Sequence, residues 1–177
     1  ALPEVTWCDA PALARGVALG PWLLLGPMTA TDGRFTQWRA RRLGDDEEAA
    51  PAQHSAAEDG DARPSTPEPE VALIVPHRWR PGHDLGARME EASARARRLV
   101  HPHIARLRAV GVTSDGVPWV ASQLAEGQSI HLWCHDRSLP VAERQSLFER
   151  ALEAVQFAHD HGVLHGAIRP SQIIVTP

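Results

Sequence analysis

The stretch at residues 45–70 (DDEEAAPAQHSAAEDGDARPSTPEPE) constrains the fold of this chain more than any other feature. It has no large apolar side chain, four prolines, and nine of the chain's 22 acidic residues against a single Arg. Such a segment buries too little surface to offset its ordering entropy, so it is expected to be a disordered insertion. Any core must then be assembled from what precedes and follows it. As a flexible coil its ends lie about 25–30 Å apart on average. Closing them into a hairpin costs only about 1.4 kcal/mol more than closing a five-residue loop, so a fold can carry the insertion. Its acidity suits a basic partner, Ser55, Ser65 and Thr66 are phosphorylation candidates, and a plain solvated spacer is the alternative.

On either side of the insertion the periodicity is readable. Residues 20–26 (GPWLLLG) and 34–41 (RFTQWRAR) read as two strands around a turn containing Asp32-Gly33, and 71–75 (VALIV), stopped by Pro76, as a third. Residues 84–99 turn helical, with Met89, Ala92, Ala96 and Leu99 on one face and Arg95, Arg97 and Arg98 elsewhere. Gly86 weakens that helix by about 1 kcal/mol and puts its start nearer Ala87. Residues 104–112 and 117–123 flank Thr113-Ser114-Asp115-Gly116 as a hairpin. Residues 140–161 carry Leu147, Ala151, Leu152, Val155 and Ala158 at helical spacing, with Gly162 at the C-cap, and 173–175 form a last short strand. The order ββ, insertion, β, α, ββ, α, β is an α+β architecture without internal repeats.

Composition removes several chemistries. All eighteen basic residues are Arg, so a Schiff-base lysine and a lysine paired with nucleotide phosphates are both excluded within this chain. The net charge is −4, but outside the insertion 17 Arg face 13 acids, a scattered +4 with no footprint for nucleic acid. Cys8 and Cys134 are too few and too distant for a disulfide framework or a thiolate metal site, which fits a reducing cytoplasm. No run approaches the roughly 18 apolar residues of a membrane span, and Ala1-Leu2-Pro3-Glu4 is not a signal-peptide start. No membrane contact is therefore expected from this segment. The absent initiator Met and the ending at Thr176-Pro177 suggest a piece of something longer, and an anchor elsewhere stays open.

Four local motifs stand in this order. Residues 71–74 read VALI, 101–104 HPHI, 119–127 WVASQLAEG, and 158–175 AHDHGVLHGAIRPSQIIV. Together they resemble the amino-terminal lobe and the first part of the carboxy-terminal lobe of a bacterial eukaryotic-like Ser/Thr protein kinase, whose catalytic loop reads A-H-x-x-G-V-x-H-R-D-L-K-P-x-N-I-x-V. The resemblance covers residues 19–177. It implies a protein-kinase-like fold: an N-terminal extension at 1–18, a sheet lobe with its helix at 19–126, and the start of a helical lobe at 127–177 that stops before D-F-G. The helix at 140–161 would then show a poorly covered apolar face at Leu147, Leu152 and Val155 unless the chain continues.

The departures from the family pattern are chemical. The lysine that pairs with nucleotide phosphates falls on Ile74, and its glutamate partner on Ala92, with Glu91 about 100° round the helix. The Arg and Asp of H-R-D fall on Gly166 and Ala167, and losing a general base alone costs about 10² to 10⁴ in rate. The glycine-loop positions fall on Ala30, Asp32 and Phe35, where side chains keep phosphates off the backbone amides. Arg169 stands at the catalytic-loop lysine and Gln172 at the metal-binding Asn; Arg169 either contacts a phosphate or pairs with a carboxylate.

The resemblance thus implies a pseudokinase with no cofactor, a regulatory module for protein partners such as an active kinase, a phosphatase or a transcription regulator. The alternative is a divergent phosphotransferase using ATP and magnesium through Arg169 and Gln172. A third reading is a folded spacer in a larger receptor. His131, Cys134 and His135, at i, i+3 and i+4, are compatible with a metal-binding face, against a plain amphipathic helix. His165 is expected to pack in the lobe. Trp7, Trp22, Trp79 and Trp133 are either partner anchors or core.

Overall fold

Among the described residues, thirteen strands and helices follow one another in chain order, with irregular segments and a 3₁₀ turn between them. They are β1 (Cys8–Asp9), β2 (Ala18–Leu19), β3 (Trp22–Met28), β4 (Phe35–Arg42), β5 (Val71–Pro76), β6 (Arg78–Trp79) and α1 (Leu85–Ala96), then β7 (Leu107–Val112), β8 (Pro118–Gln123), β9 (Gln128–Ser129), α2 (Ile130–Asp136), α3 (Val141–Asp160) and β10 (Ile174–Val175). These come from a computed structural model that describes residues 8–28, 34–44, 69–80, 82, 84–166 and 168–177. Trp7, Ala30, the Asp32-Gly33 turn, residues 45–68 of the insertion with Ser55, Ser65 and Thr66, and Ala167 lie outside the described residues.

Alternation of apolar and polar side chains makes β4 two-faced. Trp38 and Ala40 point into the core while Gln37, Arg39 and Arg41 take the other face. Its neighbours repeat the pattern in an antiparallel sheet of order β2-β3-β4-β5-β8-β7, with a register shift between Leu24 and Gly26. In register, Trp38 faces Leu73 and Leu73 faces Ala121, so one side chain from each of three strands stacks at the centre. Leu24, Leu73 and Val75 are fully buried there. Each such side chain contributes about 1.5–3 kcal/mol by leaving water.

Tryptophan supplies much of this core. Trp22, Trp38, Trp79 and Trp119 are all buried in one cluster, and Trp22 meets Trp119 edge to face at 5.8 Å. Trp22 and Trp79 are therefore core residues, not surface anchors. A Cβ on Gly111 would lie 2.5 Å from Trp119 Cζ2, so the indole rests directly on the neighbouring strand's backbone.

Residues 8–18, read in the sequence as an extension, are tied to this lobe. β1 pairs with β6, Asp9 bridges Arg78 at 3.0 Å, and Cys8, Ala10 and Leu13 pack on the core.

The helix after β6 starts at Leu85 and not near Ala87, because Leu85 itself packs against the core and fixes the first turn. Its inward stripe is also corrected. The buried position is Ser93, flanked by half-buried Leu85, Met89 and Ala96, whereas Ala92 is exposed. Ser93 tolerates burial because its hydroxyl donates to the Glu90 carbonyl at 2.9 Å. Leu99 is buried just beyond the helix, as the pattern implied.

The hairpin of β7 and β8 closes through Thr113, whose hydroxyl accepts from the Val117 amide, and Gly116 at φ 81°. The long helix α3 ends where expected. Gly162 takes φ 70°, and the Val163 amide returns to the Ala158 carbonyl at 2.9 Å. Along α3, Ala154 is buried and Leu147 and Val155 are half-buried, while Val141 (70%), Phe148 (55%) and Leu152 (50%) stand exposed along the helix. His101 joins it to the sheet lobe by stacking on Phe157, with ring centroids 5.0 Å apart.

Candidate functional site

The sheet face opposite the core carries the position onto which the resemblance maps a kinase's phosphate-pairing lysine. Ile74 stands there half-buried, with Gln37 opposite it on β4 and Val120 opposite it on β8. Side chains directly opposite in an antiparallel sheet share a face. Ile74 is thus flanked by an amide on one side and an apolar side chain on the other. Two residues back, Ala72 lies between Arg39 on β4 and Ser122 on β8.

Arg39 is a charged group on this face that the sequence reading passed over. Its guanidinium reaches Glu70 at 3.2 Å, just before β5, and Glu126 at 2.5 Å, in the segment that follows β8. Two carboxylates at one end of the antiparallel β5–β8 pair, one ahead of β5 and one beyond β8, therefore hold one cation. The signal was present in the sequence: the alternation that sends Trp38 and Ala40 inward must send Arg39 to the face of Ile74.

The segment after Glu126 holds the end of the chain in place. A Cβ on Gly127 would lie 2.2 Å from the Val175 carbonyl oxygen and 2.9 Å from Ile174 Cγ2, so only glycine allows this approach. There β10 pairs with β9, and the Ile130 amide donates to the Ile173 carbonyl at 2.8 Å. This anchoring positions Arg169 and Gln172. Arg169 is extended and half-buried, leading into a 3₁₀ turn over Pro170–Gln172 that its carbonyl caps by accepting from the Gln172 amide at 2.9 Å. Gln172 is exposed.

Other expected residues are placed less as the sequence suggested. His165 is exposed and not packed in the lobe, because residues 163–166 leave α3 as an irregular segment in which Gly166 takes φ 72°. Glu90 of α1 turns along its own helix to pair with Arg97 through both carboxylate oxygens, the longer contact 3.0 Å. Ala92 has no functional group to offer.

On α2, His131 and His135 are exposed and Cys134 half-buried. No cluster of three His, Cys, Asp or Glu able to hold a metal occurs among the described residues. Trp133, on the same helix, is covered by Arg137, whose guanidinium carbon stands 3.4 Å from the ring centroid.

No family model matches the chain. In sequence it is similar to the Ser/Thr protein kinase PknI of Mycobacterium tuberculosis (30% identical over 92 residues), to pkn3 of Myxococcus xanthus (30% over 93) and to CBL-interacting serine/threonine-protein kinase 16 of Arabidopsis thaliana (29% over 87). These matches span 50%, 51% and 49% of this chain but only 16%, 17% and 19% of the respective relatives. In structure it is similar to the PknI kinase domain of M. tuberculosis, with TM-score 0.65 at 23% identity, over 93% of this chain and 58% of that one. The fold is that of a protein kinase through the sheet lobe and the start of the helical lobe. Among the described residues no helix is long and apolar enough to cross a membrane.

Proposed function

From its place among the eukaryotic-like Ser/Thr protein kinases in fold and sequence, we propose that this chain is a catalytically inactive kinase-like module that acts in the cytoplasm by binding protein. The observation that carries the reading is the pairing of an apolar Ile74 with a sequence that has no lysine anywhere to replace it. Phosphoryl transfer depends on positioning and charge stabilisation of the phosphates, and a lysine on this strand is one of its recurring parts.

Further support comes from the other positions. Ala167 has no carboxylate to orient an acceptor hydroxyl, and exposed Ala92 has none to hold a lysine. Glu90 is committed to Arg97, and Arg39 to Glu70 and Glu126. These side chains fit a magnesium nucleotide poorly, so the module works without cofactor. Its partners are proteins of the same signalling systems: an active kinase, a phosphatase or a transcription regulator. Neither nucleic acid nor membrane is a partner of this segment.

A second reading is favoured by the relatives, each of which carries the name of a kinase. In it, Arg169 and Gln172 serve a divergent phosphotransferase that binds ATP and magnesium.

Radiolabelled phosphate transfer from ATP, to the protein itself and to a generic basic substrate, separates the two. Full-length protein and an Arg169→Ala variant should both match the buffer blank. Transfer above the blank that requires this domain and falls in the Arg169→Ala variant would overturn the first reading and establish the second.

A further inference from the structure

We infer that Arg39 is the bolt of an ion-pair latch that closes the Ile74 face of the sheet against a nucleoside. The inference rests on the reading above, which takes this face as the remnant of a nucleotide site, and it adds a reason for the face to be closed beyond the loss of the lysine.

The geometry is specific. Arg39 projects from β4 onto the same face as Ala72 and Ser122, and both its partners lie at the end of the strand pair marked by Val71 and Gln123. Glu70 immediately precedes β5, and Glu126 follows β8. With one nitrogen on each carboxylate, the guanidinium ties the start of β5 to the segment after β8 at the edge of this face. Ala72, between Arg39 and Ser122 in register, is only 7% exposed, so a planar ring seated over it requires the side chains at this edge to move.

The latch is also weak enough to open. The side chains of Arg39, Glu70 and Glu126 are 43%, 41% and 69% exposed, so each bond competes with water and is screened by salt. A latch of this kind tunes occupancy of the face; it does not abolish it.

The test uses adenosine, which is uncharged and so is indifferent to the missing lysine. Binding of radiolabelled adenosine is measured by equilibrium dialysis on full-length protein, Arg39→Ala and Glu126→Gln, at low and high salt, with circular dichroism confirming that each variant is folded. Affinity should rise about 5-fold in both variants at low salt, the factor matching the ~1 kcal/mol upper range of an exposed pair. The unsubstituted protein should gain affinity as salt rises, and Arg39→Ala should not. Equal affinity in all three, absence of binding in all three, or a salt response that survives in Arg39→Ala would each overturn the latch. None of these results touches the proposed inactivity, which stands or falls on phosphate transfer alone.

Discussion

Substituting Gly127 by Ala tests how the end of the chain is held. The new methyl carbon would sit 2.2 Å from the Val175 oxygen, 2.8 Å from the Val175 carbonyl carbon and 2.9 Å from Ile174 Cγ2. Two of these three atoms belong to backbone, so no side-chain rotation relieves the overlap. Either the segment after β8 or β10 has to move. Overpacking of this sort costs about 1–3 kcal/mol, which is roughly a 5- to 150-fold change in an opening equilibrium. The amide to follow is that of Ile130, which donates to the Ile173 carbonyl across the small β9–β10 sheet. Its hydrogen-exchange protection should fall by that factor, while amides of β5 and β8 in the six-stranded sheet keep theirs. Unchanged protection at Ile130 would refute the argument that Gly127 is required by close approach. Equal loss in β5 and β8 would show that β9 and β10 unfold only with the whole molecule.

Two further substitutions probe the sheet core. Gly111→Ala drives a methyl to 2.5 Å from Trp119 Cζ2 and should lower stability by about 1–3 kcal/mol in denaturant titration, and a neutral effect would mean the indole has room to shift. Leu73→Ala empties the centre of the stack between Trp38 and Ala121. It should cost about 2–5 kcal/mol in the same titration, and a loss under about 1 kcal/mol would place the core elsewhere.

Most of the fold was legible because most of it is local. Strands β3, β4, β5, β7 and β8 and helix α3 each announce themselves by period and by a turn or cap residue, and Gly116 and Gly162 adopt the left-handed backbone their positions implied. What was not legible depended on partners distant in sequence. Two-residue strands such as β1 and β6 have no period to detect; they exist because Cys8 and Trp79 meet. The inward face of α1 was misplaced by one residue because a serine occupies the buried slot, and a polar side chain reads as exposed until its bond to the Glu90 carbonyl is seen. The candidate site shows the same division. Ile74 was singled out by motif and the face of Arg39 was implicit in the alternation of β4, whereas its partners became visible only when a segment more than eighty residues away supplied Glu126.

The placement of the indoles has an optical consequence. The chain has six tryptophans and no tyrosine, and four of the tryptophans form the sheet core while α3 has none. Intrinsic emission therefore reports chiefly on the sheet lobe, with Trp133 under its arginine as a separate minor emitter. Far-ultraviolet dichroism is weighted instead to the helices, of which α3 is the longest. Melting curves recorded by the two signals follow two different halves of one molecule, and their overlap or separation measures directly whether those halves lose structure as one cooperative unit.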